Sequence, residues 1–251
     1  MESGTFVILP ARNEEKYIRT VIDKCRKYCR NIIVVDDGSS DRTKSISESA
    51  GAKVVSHVIN LGKGAAMKTG CEYAMGLGAK KVIFLDSDDQ HDPSAIPEFE
   101  KKLDMFDCVL AYRDFSKIPL YRRVSNLIGL YLVRILFGVP IRDVSNGFRG
   151  FNTSIYDRIV WDSCGYEVET EMIVDIAVMG LTFTQVKTEA KYHEKYKGAS
   201  ISDAFLTAFK LFWWRLVKSA FAKRIGKIGK IGNIRNNKTI VKDRAEDRVK
   251  Y

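Results

Sequence analysis

The chain contains no CxxC pair: its five cysteines are an odd number with no metal-ligand spacing. That argues against a zinc ribbon and against a disulfide-stapled secreted domain, and it points to a reducing compartment. A secretory leader is not expected either, because the opening MESGTFVILPARNEE enters a strand without a basic start and an apolar stretch. No apolar run is both long and uninterrupted. RRVSNLIGLYLVRILFGVP (122–140) is short and carries Arg134, and DAFLTAFKLFWWRLVKSAFAKR (203–224) is broken by Lys210, Arg215 and Lys218. A spanning helix avoids central charges, whereas an interfacial helix uses them. The phosphate signatures GxxxxGK(S/T) and GxGxxG are also missing, although NLGKGAAMKTG (60–70), with Lys63, has the look of a phosphate cradle.

What is present is an ordinary globular body with an unusual end. Of 251 residues, 45% are hydrophobic, enough for one large domain or two small ones. The net charge of +10 is unevenly spread: residues 201–251 hold 13 Lys+Arg against 4 Asp+Glu, leaving 28 against 27 in the first 200. A basic tail suits nucleic acid or anionic lipid. Single-stranded nucleic acid binding wants aromatics among the charges, and after Phe221 only Tyr251 remains, so no nucleic-acid partner is expected. The stretch RIGKIGKIGNIRNNK places glycine at every third position, which disfavours a stable helix.

Strands and helix-length segments alternate from the start. TFVIL (5–9), NIIVV (31–35), AKVVSHV (52–58), KKVIFL (80–85) and DCVLAY (107–112) are near-continuous apolar strands, with amphipathic segments between them. This predicts an α/β fold with a mostly parallel sheet covered on both faces and ligands bound beyond the strands' carboxyl ends. The first strand is followed by PARNEE, the second by DDGSSD and the fourth by DSDDQHDP. Asp, Asn, Ser and Gly are common loop and cap residues, and Asp41 and Ser94 fit that role. Asp86, Asp88 and Asp89 together at one strand end are better explained by a divalent cation shared with substrate phosphates.

LPARNEE, VVDDGSSD, NLGKGAA, DSDDQHDP, SNGFRGF and ETEM, in that order, resemble the family-2 glycosyltransferases of the GT-A fold. The match covers about residues 4–200 and is closest to dolichyl-phosphate mannose synthases and related polyprenyl-phosphate sugar transferases. The resemblance implies a Rossmann-like GT-A catalytic domain over residues 1–200, followed by an amphipathic interfacial helix and basic tail over 201–251. It implies transfer of a hexose, mannose favoured, from a nucleotide sugar (GDP-mannose or a UDP-sugar) to a polyprenyl phosphate, with inversion. Mg²⁺ or Mn²⁺ is the implied cofactor and the cytoplasmic face of a membrane the implied place, with or without a separate membrane subunit. By the same carry-over Pro10, Arg12, Asn13, Glu14, Asp37, Lys63 and Asp86 belong to the nucleotide site, although Tyr is commoner where Arg12 stands. Asp86, Asp88 and Gln90 match the metal motif, with Asp89 an alternative to Asp88. Arg113, Arg122, Arg123, Ser125, Asn126 and Arg149 fall in the acceptor region. Glu169 and Glu171 face the sugar, and Lys195 lies in a closing loop where Arg is usual.

The implied chemistry suits these residue types. The leaving nucleoside diphosphate gains negative charge, which a bound cation stabilises. A phosphate monoester acceptor, with a second pKa near ~6, is largely dianionic at neutral pH and needs cations rather than a general base. A family-2 transferase using UDP-glucose or a UDP-N-acetylhexosamine is one alternative, and transfer to a saccharide hydroxyl is the other. The latter would need a base, for which Glu169 or Glu171 are the candidates. His57 and His193 are expected to be incidental, and His91 to brace the acidic loop.

Overall fold

The computed structural model describes residues 4–114, 120–159, 161–191 and 207–218. Seven strands form one sheet: β1 (Thr5–Ala11), β2 (Ile32–Asp37), β3 (Lys53–His57), β4 (Lys81–Phe84), β5 (Cys108–Tyr112), β6 (Arg149–Asn152) and β7 (Phe183–Lys187). Their order is β3-β2-β1-β4-β6-β5-β7. All neighbouring strands run parallel except β6, which is antiparallel to both β4 and β5.

The near-continuous apolar strands are central. All six residues of β2 are buried, and so are six of the seven in β1, whereas β3 at the edge is half open. Alternate side chains feed two cores, as the period of two demands. Val7, Leu9 and Val34 pack on α1 (Ile18–Arg26) and α4 (Ile96–Lys102). Phe6, Ile8, Ile33 and Val35 pack on the other face. That face is closed by α3 (Lys63–Gly76), α5 (Leu120–Phe137), α6 (Val168–Val178) and the helical residues 207–218. α2 (Thr43–Ser49) lies between β2 and β3 in the chain.

β5 does not sit beside β4, as a simple alternation would have it, because β6 inserts between them. The antiparallel register sets Arg149 opposite Phe84 and Leu110. The SNGF segment before β6 therefore arrives at the same sheet edge as the ends of β1, β2, β4 and β5. Sheet order also reverses direction at β1, with β2 and β3 on one side and β4 on the other, which is where open α/β sheets hold ligands.

Helix 207–218 is docked. Leu211 and Trp214 are buried in the core, and Lys210 and Lys218 form ion pairs with the region of α6. Its outer side exposes Phe209, Phe212, Trp213, Leu216 and Val217. α5 similarly exposes Leu127, Ile128, Tyr131 and Ile135. Among the described residues no helix is long and apolar enough to cross a membrane.

Candidate active site

The first two loops are tied to each other. The Asn13 N–H donates to Ser39 Oγ (2.9 Å), and Ser40 N–H donates back to Asn13 Oδ1 (2.8 Å). Asn13 adopts φ 54°, a left-handed value that Asn tolerates. The Glu14 N–H donates to Thr43 Oγ1, and Asp41 accepts from the N–H groups of Glu15 and Thr43, so Asp41 is a structural loop brace. Pro10 supplies its carbonyl to Ser87 Oγ (2.8 Å), fastening the acidic loop to β1.

Asp37 is buried and fully engaged. Its Oδ1 lies 2.8 Å from His57 Nδ1 and accepts from Leu61 N–H, and its Oδ2 accepts from Gly62 N–H at 2.8 Å. His57 Nε2 in turn meets Thr69 Oγ1 at 2.9 Å. Far from incidental, His57 links Asp37 to α3, and together they shape the loop expected to cradle phosphate.

That loop is pressed from behind. The Gly64 N–H donates to the Cys164 carbonyl (2.6 Å), and Trp161 Nε1–H donates to the Gly64 carbonyl (2.8 Å). A Cβ on Gly64 would stand 1.9 Å from the Ser163 oxygen, so no larger residue fits without moving backbone. The result places Lys63 in the first turn of α3 and aims its ammonium at the end of β4.

Lys63 Nζ is 2.6 Å from Asp86 Oδ1 and 2.6 Å from Glu169 Oε1. His91 Nε2 approaches the other Asp86 oxygen at 3.3 Å, bracing it as the sequence suggested. The His91 ring also lies against Phe148, and its Nδ1 is buried with no hydrogen-bond partner among the described residues. Burial works to raise the Asp86 carboxyl, but Lys63 and His91 outweigh it and hold the group well below the usual carboxylate range. Burial likewise works to lower the Lys63 pKa, yet Asp86 and Glu169 keep it above the ordinary lysine value. Gly147 lets the backbone before β6 approach this carboxylate, since a Cβ there would be 2.4 Å from Asp86 Oδ2.

Asp88 differs from its neighbours. It forms no ion pair among the described residues, and its two oxygens accept only from Gln90, backbone N–H at 3.1 Å and Nε2 at 2.7 Å. Burial, and then the charge of Asp86, push its carboxyl up. Asp89, at φ 60°, turns the opposite way and pairs with Lys24 of α1 at 2.5 Å. Of the two, Asp88 is therefore the carboxylate left without a counter-charge beside Asp86. An added cation would relieve that strain, and paired carboxylate oxygens suit a hard Mg²⁺ or Mn²⁺. Among the described residues no set of three or more His, Cys, Asp or Glu could hold a metal ion, so Asp86 and Asp88 would need ligands of other kinds beside them. Gln90 spends its amide N–H on Asp88, which leaves its amide oxygen as the atom able to face a cation.

The expected acceptor residues are distributed differently. Arg113 is buried in a two-pronged pair with Asp143 (2.7 and 3.0 Å) and also bonds Ser145. Asn126 donates to Asp143 and accepts from Val144 N–H, so this buried amide braces the turn before β6. Arg149, 1% exposed, donates to the carbonyls of Asn146 and Glu169. These three side chains position the site from within. Arg123 is exposed near the start of α5. The side chains of Arg122 and Ser125, and Lys195 altogether, lie outside the described residues. Glu171 is completely buried, accepts from the N–H groups of Asp162 and Ser163, and pairs with Lys218 at 2.7 Å. Arg12 is an exposed residue at the mouth of the first loop.

The family model for glycosyl transferase family 2 matches residues 6–160. The chain belongs to that family. Over 218 residues it is 32% identical to an uncharacterized protein of Methanocaldococcus jannaschii, covering 82% of this chain and 90% of the relative. The UDP-N-acetylglucosamine–dolichyl-phosphate N-acetylglucosaminyltransferase of Methanococcus voltae is 32% identical, covering 59% of this chain and 69% of that enzyme. The polyprenol monophosphomannose synthase of Mycolicibacterium smegmatis is 24% identical, over 84% and 86%. Among solved structures, glucosyl-3-phosphoglycerate synthase of Mycobacterium tuberculosis, with Mn²⁺, UDP-glucose and phosphoglyceric acid, aligns with a TM-score of 0.68. It shares 22% identity over 86% of this chain and 79% of that one, which establishes the common fold. This family-2 glycosyltransferase thus carries its acidic motif at the shared sheet edge, with Lys63 laid across it.

Proposed function

We propose that the enzyme transfers a sugar, with inversion, from a nucleotide sugar to the phosphate of a polyprenyl carrier, at the cytoplasmic surface of a membrane. The observation that carries this reading is the pair of helices around α6. Helix α5 and residues 207–218 close the core on the inside while exposing nine Leu, Ile, Tyr, Phe, Trp and Val side chains to the outside. The sequence after Lys218 is rich in Lys and Arg, and each such residue near anionic lipid adds about 1 kcal/mol. Names of two relatives, one acting on dolichyl phosphate and one on polyprenol, agree with a lipid phosphate acceptor.

In this reading Asp86 and Asp88 would hold Mg²⁺ or Mn²⁺. When bound, the cation neutralises the charge that builds on the leaving group. Asn13, Glu14 and the Asp37-braced loop shape the nucleotide pocket, and Lys63 at the N-terminus of α3 faces the diphosphate. Arg123, with Arg122, brings the anionic acceptor to the anionic donor. No base is required. Glu171 could not serve as one, because it is sealed from solvent and already holds two N–H groups and Lys218. Transfer to a saccharide hydroxyl would therefore rest on Glu169, which is buried and paired with Lys63.

The test is incubation of the full chain with labelled GDP-mannose, UDP-N-acetylglucosamine and UDP-glucose, a short polyprenyl phosphate and Mg²⁺ or Mn²⁺, scored for extractable glycolipid. GDP-mannose is the first donor to try, and the archaeal relative makes UDP-N-acetylglucosamine the second. Label appearing only on free saccharides would refute the lipid acceptor. Flotation with anionic vesicles, weakened by salt, tests the surface. Ending the chain near Ser200 is the wrong control, since it strips Leu211, Trp214 and Lys218 from the core. Replacing the outward Phe212, Trp213 and Leu216 by serine isolates the exposed side.

A further inference from the structure

We propose that Lys63 is the resident counterion of the acid site, and that it must release Asp86 before a divalent cation can bind there, so that metal and nucleoside diphosphate bind cooperatively. The inference rests on the metal-dependent reading above and adds a role for one side chain of this protein.

Two carboxylates converge on one ammonium. Lys63 Nζ touches Asp86 and Glu169 at the same 2.6 Å, with the lysine side chain only 15% exposed. Arg149 is buried nearby but gives its N–H groups to main-chain carbonyls, so it neutralises the field without covering Asp86. The oxygen of Asp86 that Lys63 occupies is one that a cation would need, and the other oxygen faces His91. A dication and an ammonium cannot share one carboxylate oxygen at close range, because like charges in a poorly screened site repel strongly. In the absence of nucleotide the lysine therefore excludes the metal.

A diphosphate changes the balance. Lys63 is in the first turn of α3, a 14-residue helix whose N-terminal N–H groups attract anions. The lysine stem is a flexible four-carbon chain, so its ammonium can turn from Asp86 to a phosphate while the backbone, clamped by Cys164 and Trp161, stays in place. Nucleotide thus frees Asp86, and by linkage metal must strengthen nucleotide binding by the same factor.

The experiment is a Mn²⁺ titration of the full chain by electron paramagnetic resonance, with and without UDP or GDP, for wild type, Lys63→Met and Lys63→Arg. Wild type and Lys63→Arg are expected to bind Mn²⁺ at least tenfold more tightly with nucleotide. Lys63→Met is expected to bind Mn²⁺ alone at least tenfold more tightly than wild type does, to lose most of the nucleotide dependence, and to melt at a temperature that rises with Mn²⁺. Should Lys63→Met fail to fold, Lys63→Met combined with Glu169→Gln keeps the net charge and must still show the tighter nucleotide-free binding. Nucleotide-dependent binding that is unchanged in Lys63→Met overturns this inference and leaves the metal reading standing. No Mn²⁺ binding in any form, even with nucleotide, overturns both.

Discussion

Replacing Lys218 by methionine is the sharpest test of how the C-terminal helix is joined to the catalytic core. Its ammonium lies 2.7 Å from Glu171 Oε1 and 2.5 Å from Asp175 Oδ1. The three side chains are 14%, 0% and 3% exposed, so the cluster is close to fully buried. Methionine keeps much of the stem's packing and deletes the charge. Two buried carboxylates would then share no counterion, and breaking a buried pair in this way costs about 3–5 kcal/mol. Asp175 limits the loss. Burial already raises its carboxyl to about 7 against the opposing pull of Lys218, so the group can take a proton when that pull is gone. Glu171 has no such escape without loosening the N–H groups of Asp162 and Ser163. We expect a loss of about 3 kcal/mol in urea unfolding at pH 7 with an unchanged m-value. For a chain of this size that is a fall of about 6–12 °C in melting temperature. The matched control is Lys210→Met, which removes a more exposed pair with Glu167 and should cost about 1 kcal/mol or less. Lys218→Met within about 0.5 kcal/mol of wild type, inside the range of ordinary surface changes, would refute the docking of this helix.

Other changes probe the site itself. Asp88→Asn should abolish Mn²⁺-dependent transfer while the protein stays folded, whereas Asp89→Asn should lose only the Lys24 bridge, about 1 kcal/mol, and keep transfer; equal effects on activity would contradict the geometry. Gly64→Ala should cost about 1–3 kcal/mol in thermal unfolding and weaken nucleotide binding, despite alanine's better helix propensity, because its methyl meets the Ser163 carbonyl. Asp175 has a folded pKa raised to about 7, so its contribution to stability is full below its unfolded value near 3.8 and is lost as pH rises through 7. Wild type should therefore lose about 2 kcal/mol relative to Asp175→Asn between pH 5.5 and 7, and parallel pH profiles from urea melts would refute this.

Much of this arrangement was legible in the chain, and what was not has a common cause. Of the five apolar strands before residue 113, β1, β2, β4 and β5 announce themselves because they are buried on both faces, and β3, half open at the edge, still reads as an apolar run. The acid clusters after β1, β2 and β4 meet because parallel strands share their carboxyl ends. β6 and β7 gave no comparable signal. β6 is four residues long and begins with a buried arginine, and β7 is only partly buried. Side-chain partners were harder still. Arg113 was read by position as an acceptor cation, but its partner is Asp143, thirty residues on, and only the fold brings them together. His57 looked idle because Asp37 and Thr69 lie on other elements.

Lysines show the limit most clearly, because a lysine carries no mark of where its charge will be spent. Lys218 is one of 13 basic residues in the last 51, and in sequence it belongs with a tail that would meet lipid. In the fold it points the other way, to Glu171, while Phe212, Trp213 and Leu216 of the same helix face outward. Lys63 sits in a glycine-rich turn that suggests phosphate, yet its contacts here are Asp86 and Glu169. The two lysines are connected. Lys218 holds Glu171, Glu171 holds the N–H groups of Asp162 and Ser163, and the next carbonyl, of Cys164, holds the N–H beside Lys63. A helix that is apolar on its outer side thus ends, by one ion pair and three hydrogen bonds, against the turn that carries the lysine of the acid site. A change on that outer side acts on a helix already fastened to the turn that carries Lys63, so the exposed apolar side and the acid site are mechanically joined.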